Sequence, residues 1–227
     1  MRRPGMIQNT AHFLFLSFFS LLLLFCQQTD FANAAQNKVY LTFDDGPSER
    51  YTPRILDILK SEHIHATFFV LGFRSEMFPQ TMKRIHKEGH EIGNHGFYHT
   101  KLTGKPTSFV MMDIAKADNA ITAACGVKPF YFRPPGGILD TTEWETVRNM
   151  GHKVILWTVD TEDWKANSEK TIIENVRSKV KPGSIILLHD GVSGSYYTTL
   201  ALPHVIHYLK SCGYSFDVLP TTFSNRE

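Results

Sequence analysis

The sequence predicts an α/β fold with a parallel sheet covered by helices, and three observations carry that prediction. Strand-like and helix-like segments alternate from Lys38 onward, apolar residues switch between near-continuous runs and a 3.6-residue period, and Gly or Pro stands at most of the changeovers. Alternation of this kind is the mark of strands joined by helical crossovers.

The elements follow in order. Residues 39–43 read as the first strand. Residues 53–62 read as a helix with Ile55, Leu56, Ile58 and Leu59 on one face. Residues 66–71, apolar apart from Thr67, form a second strand of the kind buried on both sides. A helix over 78–87 is stopped by Gly89 and leads into a third strand, 91–94. The helix over 107–124 stops at Gly126, before a fourth strand at 130–132. The helix over 142–150 stops at Gly151, before a fifth at 154–159. Ile172, Ile173, Val176 and Val180 mark a helix ended by Pro182-Gly183, and residues 184–188 form the sixth strand. Leu202, Val205, Ile206 and Leu209 mark the last long helix, ended by Gly213, and 214–219 is the seventh strand. Repeats, low-complexity tracts and linker-like shifts are absent after Gln36, so residues 35–227 read as one domain.

The first 34 residues read differently. Arg2 and Arg3 precede an apolar run over 13–25, broken only by Ser17 and Ser20, and Ala32-Asn33-Ala34 supplies a small-x-small cleavage site. That order is a secretory signal peptide, with a mature start near Ala35 or Gln36. The run is shorter than the ~20 residues of a membrane-spanning helix, which argues against the alternative of an uncleaved anchor. Cys26 follows the run, but Phe25 before it is not the small residue that lipid attachment requires. The chain is expected to be exported, to be secreted or wall-associated. Export permits a disulfide, yet Cys125 and Cys212 alone do not specify one.

Charge excludes little but is useful in one respect. The chain has 24 basic and 22 acidic residues, a net charge of +2, so nothing favours nucleic acid as a partner. No stable protein partner is implied, and a monomer is expected.

Parallel α/β folds place their active sites at the carboxyl ends of the strands. Applied here, the rule collects Asp44-Asp45, His95 with His99, Arg133, Asp160 with Asp163, and His189-Asp190 at one end of the sheet. A lone H-x-x-x-H is weak in a chain with 11 histidines, and a second pair, His86 and His90, enters the third strand at the opposite end. That pair is expected to be at the surface. Two imidazoles and one carboxylate form a metal-binding set with positions left open for water and substrate. Asp44 or Asp45 can supply the carboxylate, and because adjacent acids on an extended segment point opposite ways, the other can act as a base. Asp44-Asp45-Gly46-Pro47 taken alone is also compatible with an ordinary turn.

Five segments, in order, resemble the motifs of the polysaccharide deacetylase family, the NodB-homology domain of carbohydrate esterase family 4. They are Thr42-Phe43-Asp44-Asp45-Gly46-Pro47, His95-Gly96-Phe97-Tyr98-His99, Arg133-Pro134-Pro135-Gly136-Gly137, Asp160-Thr161-Glu162-Asp163-Trp164 and Ile185-Ile186-Leu187-Leu188-His189-Asp190. The resemblance spans Lys38 to about Pro220. It implies a distorted (β/α) barrel of seven parallel strands with outer helices. It implies that Asp45, His95 and His99 hold a divalent metal, most simply Zn²⁺, with Co²⁺, Ni²⁺ and Mn²⁺ compatible. It makes Asp44 the general base paired with Arg133, and His189 the general acid oriented by Asp163. Trp164 and Leu187 would line the pocket for the acetyl methyl, and the Gly136 N–H would hold the oxyanion. The implied activity is removal of N-acetyl groups from an N-acetylated polysaccharide such as peptidoglycan or chitin. Two positions depart from the family pattern. Gly96 stands where Ser or Thr is usual, which predicts a missing hydrogen bond near the metal. Gly136 stands where an aromatic is frequent, which predicts either a more open groove or a tight glycine turn. Three other readings remain at this point: an amide hydrolase of a small molecule, a non-heme iron oxygenase, and a carbohydrate-binding protein on an inactive scaffold.

Overall fold

The computed structural model describes residues 37–220. The predicted signal segment and the N-terminus of the mature chain lie outside the described residues. The elements are β1 (Lys38–Asp44), α1 (Thr52–Ser61), β2 (Thr67–Val70), α2 (Gly72–Met77), α3 (Pro79–Lys87), β3 (Glu91–Asn94), α4 (Thr107–Cys125), β4 (Tyr131–Phe132), α5 (Thr141–Asn149), β5 (Lys153–Val154), β6 (Val159–Asp160), α6 (Glu169–Lys179), β7 (Ile185–His189), α7 (Ser195–Ser211) and β8 (Ser215–Phe216). All recorded strand pairs are parallel, in the order β5-β4-β3-β2-β1-β7-β6, with β8 paired to the start of β1.

The two ends of that order, β5 and β6, are joined by only four residues, 155–158. A trans peptide chain cannot span the width of a flat seven-strand sheet in so short a step. The sheet therefore curls on itself into a distorted barrel, as the resemblance implied. The predicted fifth strand, 154–159, is accordingly two strands. Ile155 N–H still donates to Phe132 on the β4 side (3.0 Å), whereas Thr158 N–H already donates to Ile185 on the β7 side (3.0 Å). Between them Arg133 intervenes: its Nε and Nη2 donate to the carbonyls of Ile155 and Leu156, each at 3.2 Å. A guanidinium thus occupies the seam where a continuous ladder would have run.

Strand alternation sorts the core. Val39, Leu41 and Phe43 of β1, Phe68 and Val70 of β2, and Ile186 and Leu188 of β7 face outward into the main cluster, where they meet Leu56 and Leu59 of α1, Ile85 of α3 and Leu202, Val205 and Leu209 of α7. Residues of the other parity turn inward. Phe69, Tyr131, Ile155 and Leu219, with Tyr40 and Ile185 against them, fill the barrel interior. Asp44 has the parity of Tyr40, and His189 that of Ile185, so both functional candidates face inward at the open end.

Three further readings are corrected. α2 was missed because six residues are too few to show a helical period. The last strand is only Ser215–Phe216, since β8 meets β1 at just two residues. His90 is not at the surface. It is buried, its Nδ1 accepts the Ala66 N–H at 3.1 Å, and burial lowers its pKa to about 4, whereas His86 is exposed. The two cysteines, Cys125 and Cys212, are both free thiols.

Arg133 is fully buried and paired with Asp44 at 2.7 Å. Removing one partner of a buried pair leaves the other charge uncompensated. Arg133→Met should therefore destabilise the fold by about 3–5 kcal/mol, and Asp44→Asn in the same chain should recover part of the loss. Urea unfolding of the two single variants and the double variant measures this.

Candidate active site

The carboxyl ends of the strands bring the candidates together. β1 ends on Asp44, whose Oδ1 accepts from Arg133 Nη1 at 2.7 Å. Arg133 Nη1 also reaches Thr42 Oγ1 at 2.9 Å, and the guanidinium lies 4.0 Å from the Phe69 ring centroid. Burial raises the Asp44 pKa, and the opposing charge of Arg133 offsets only part of that rise. The next residue, Asp45, has φ +74, so the chain leaves the strand in the left-handed region and its carboxylate turns away from Arg133. Asp tolerates that region better than most residues.

Asp45 Oδ1 lies 3.5 Å from His95 Nε2 and 3.3 Å from His99 Nε2. The donor atoms of Asp45, His95 and His99 all fall within 4.8 Å of one another. His99, like Asp45, has positive φ (+61), an uncommon backbone of the kind that gathers at ligand sites. Asp45 Oδ1 is buried without a hydrogen-bond partner. His95 Nδ1 meets the Arg133 carbonyl at 2.6 Å, a contact only a protonated Nδ1 can make, which leaves the Nε2 lone pair free. Burial lowers the His95 pKa to about 3, so the ring is neutral at physiological pH. A neutral imidazole presenting Nε2, a second imidazole and an unpartnered carboxylate oxygen fit a divalent cation of borderline softness.

His189 ends β7, in register with Asp44 on the neighbouring strand. Its Nδ1 is 2.7 Å from Asp163 Oδ1, and its backbone N–H donates to Asp163 Oδ2 at 2.7 Å. Thr198 Oγ1 of α7 donates to the same Oδ2 at 2.6 Å, so the fully buried Asp163 carboxylate is held on both oxygens. Burial by itself would lower the His189 pKa, but the hydrogen bond and charge of Asp163, with Asp44 and Asp45 beyond, outweigh it and raise the pKa to about 9. Leu187 is buried, two residues before His189 on the same face of β7, and Trp164 follows Asp163 and is 51% exposed. Gly136 lies exposed in the turn after β4. Asp190 does not join the set: it is buried with opposite parity, and its Oδ2 accepts from Thr52 Oγ1 at 2.6 Å.

Residues 32–155 match the family model for polysaccharide deacetylase. The chain is 41% identical to a peptidoglycan-N-acetylglucosamine deacetylase of Bacillus cereus over 189 residues, which covers 82% of this chain and 68% of the relative. The chain belongs to the polysaccharide deacetylase family. By family it is a polysaccharide N-deacetylase. It is also 43% identical over 156 residues to the peptidoglycan-N-acetylmuramic acid deacetylase PdaC of Bacillus subtilis, covering 68% of this chain and only 32% of that longer protein. Among solved structures, a peptidoglycan N-acetylglucosamine deacetylase in complex with 4-naphthalen-1-yl-N-oxidanyl-benzamide superposes with a TM-score of 0.80 at 38% identity, over 84% of this chain and 89% of the other.

Within this deacetylase the Gly96 departure has a structural answer. Gly96 has φ +80, and a Cβ there would stand 2.8 Å from Asp113 Oδ2 of α4. The space that a Ser or Thr side chain would need is occupied by a carboxylate, and that carboxylate accepts the Phe97 N–H at 3.0 Å. Asn94, fully buried, accepts the Gly96 N–H on Oδ1 at 2.7 Å while its Nδ2 donates to Asp118 Oδ1 and to the Ile114 carbonyl. The loop between His95 and His99 is thus clamped from two sides, and the predicted loss of a hydrogen bond is made good by residues outside the motif. Sequence reading missed Asn94, Asp113 and Thr198. Asn94 adjoins His95 and could have been suspected, but the other two lie on helices with no local signal.

Asp113→Ala should weaken metal retention about tenfold or more, while Asp113→Asn, which keeps an acceptor for the Phe97 N–H, should retain most of it. Chelator competition on the metal-loaded protein distinguishes the two variants.

Proposed function

We propose that the chain hydrolyses the acetamide of N-acetylated amino sugars in a cell-wall polysaccharide, with Asp44 as general base and His189 as general acid. The observation that carries this reading is their register. They stand opposite one another on adjacent parallel strands, facing inward, beside the Asp45, His95 and His99 set. A site built this way can address the two ends of one scissile amide from neighbouring strands.

Asp45, His95 and His99 would hold a divalent cation, zinc by preference for this donor set, which would polarise the acetamide carbonyl and lower the pKa of a bound water. Asp44 takes a proton from the attacking water. Its raised pKa makes it a better base than a solvated carboxylate, and Arg133 fixes its orientation. As the C–N bond breaks, His189 gives its proton to the leaving nitrogen, so that amine and acetate depart. The raised pKa keeps His189 protonated for that step at neutral pH. Asp163 fixes which ring nitrogen carries the donated proton, because Nδ1 is engaged and Nε2 is left to face the substrate. The Gly136 N–H would stabilise the oxyanion, and Leu187 with Trp164 would seat the acetyl methyl. The relatives named above act on peptidoglycan, and a wall polymer is the substrate proposed here. Residues 1–34 would direct export and be removed in the course of it.

Acetate release from N-acetylglucosamine oligomers and from peptidoglycan tests the reaction. His95→Ala should lose tight metal binding and activity together. Asp44→Asn should keep the metal and lose about 10²–10⁴ in turnover, and full turnover by that variant would remove Asp44 from its role. The pH profile provides a second test. His189 must be protonated to act, and its pKa lies above that of free imidazole, so activity should be present at neutral pH and fall as pH rises through about 9. Asp163→Asn removes the raising charge and should move that alkaline limb to lower pH, toward the free-imidazole value. For the exported form, N-terminal sequencing should give a start at Ala35 or Gln36.

A further inference from the structure

We propose that Lys101 reads a carboxylate carried by the glycan beside the acetamide, so that the favoured substrate is an acidic N-acetylated amino sugar. The proposal rests on the deacetylase reading above and specifies its substrate class.

The argument starts with the departure at Gly136. Its φ of +77 is a backbone that a side chain would strain, and the nearest atom a Cβ would meet is Lys101 Cε, at 3.5 Å. The glycine turn predicted as one alternative is therefore present, but the space over it is not simply an open groove. The lysine stem lies along it, on the side where the resemblance puts an aromatic wall.

The loop that carries Lys101 is held by its neighbours. Lys101 follows the ligand candidate His99 by two residues and precedes the fully buried Leu102. Beyond it, Thr103 Oγ1 donates to the Ile138 carbonyl at 3.3 Å and Gly104 N–H donates to Glu143 Oε1 at 2.7 Å. These bonds lay the loop after β3 onto the loop after β4, with Gly136 beneath Lys101.

Several other cations near the open end lie against rings or acids. Arg50 lies over Tyr51, Arg74 over Phe73, Lys116 over Phe97 and Tyr98, and Lys165 over Trp164 while pairing with Glu162. Lys101 is exposed and, among the described residues, has no ion pair, hydrogen bond or ring contact. An exposed ammonium group left without a partner beside the Gly136 turn is suited to an anion from outside.

Its position names the anion. On the proposed function the Gly136 N–H would address the acetamide carbonyl, and Lys101, whose Cε stands 3.5 Å from the Cβ position of Gly136, would then lie beside the part of the sugar next to the acetamide. On an amino sugar that is the substituent of the neighbouring ring carbon, or a group on the adjoining sugar. An acid there would otherwise be repelled by Asp44 and Asp45, and Lys101 offsets that repulsion. A carboxylic ether on the neighbouring carbon, as in N-acetylmuramic acid, meets this description.

The test compares acetate release from a peptide-free glycan containing N-acetylmuramic acid, the same glycan with its carboxylates methyl-esterified, and a neutral N-acetylglucosamine oligomer. The wild type should prefer the acid to its ester about tenfold in kcat/KM, as expected for one charge-assisted hydrogen bond, and the preference should shrink as salt is raised. Lys101→Met should bring the acid-to-ester ratio near one, and Lys101→Arg should keep most of it. An oligomer with the carboxylate on an adjoining uronic acid separates the two positions of the acid. Equal rates on acid and ester, or a ratio that Lys101→Met leaves intact, would overturn the role of Lys101 alone. No acetate from any glycan would overturn the deacetylase reading, and this proposal with it.

Discussion

Arg133 ties the architecture to the chemistry. A guanidinium buried in a barrel has to satisfy five donors with almost no water. Four of them are met by the Asp44 carboxylate, the Thr42 hydroxyl and the carbonyls of Ile155 and Leu156. Two of those acceptors are free only because the strand breaks between β5 and β6. The break is what lets the sheet close, and the Arg133 backbone carbonyl meets His95 Nδ1. One residue therefore joins the seam, the candidate base and a candidate metal ligand, and none of these can shift without disturbing the others.

The same residue type serves opposite purposes at two points of the site. His95 and His189 are both largely buried, but the first has a carbonyl as partner and the second a carboxylate. Desolvation dominates for His95, which stays neutral, whereas Asp163 overrides it for His189, which stays charged. The environment beyond the directly functional residues thus decides which imidazole can present a lone pair and which can give up a proton. Thr198 contributes by engaging the second oxygen of Asp163, so that the carboxylate cannot rotate away from the ring.

Much of this was legible in the chain because the signals were local. Strand ends could be counted, and at those ends Asp44, Asp45, His95, His99, Arg133 and His189 stood in sequence beside recognisable motifs. What was illegible was long-range. Nothing near residue 157 announces that its strand divides, because the cause is a guanidinium more than twenty positions earlier. Gly96 read as a loss because the carboxylate that fills its space comes from α4. His90 read as a surface residue because position along a strand does not report which groups of a neighbouring strand, here the Ala66 N–H, will bury it. Gly136 was ambiguous for the same reason, since the side chain lying over it belongs to another loop.

β1 has a consequence for how the molecule comes into being. It is the first strand of the described chain, and it is flanked by β2 on one side and by β7 on the other, with Thr42 and Ile186 joined across 144 positions of sequence. Contacts of that span form late, because the entropy of bringing distant segments together must be met before they contribute anything. The half of the site carried by β1 and β3 lies within residues 38–99. His189, the candidate acid, arrives only when nearly all of the polypeptide is present. A chain still emerging from its ribosome, or halted part-way through folding, would carry Asp45, His95 and His99 without the candidate acid beside them, so the set of candidates is completed by one late docking event.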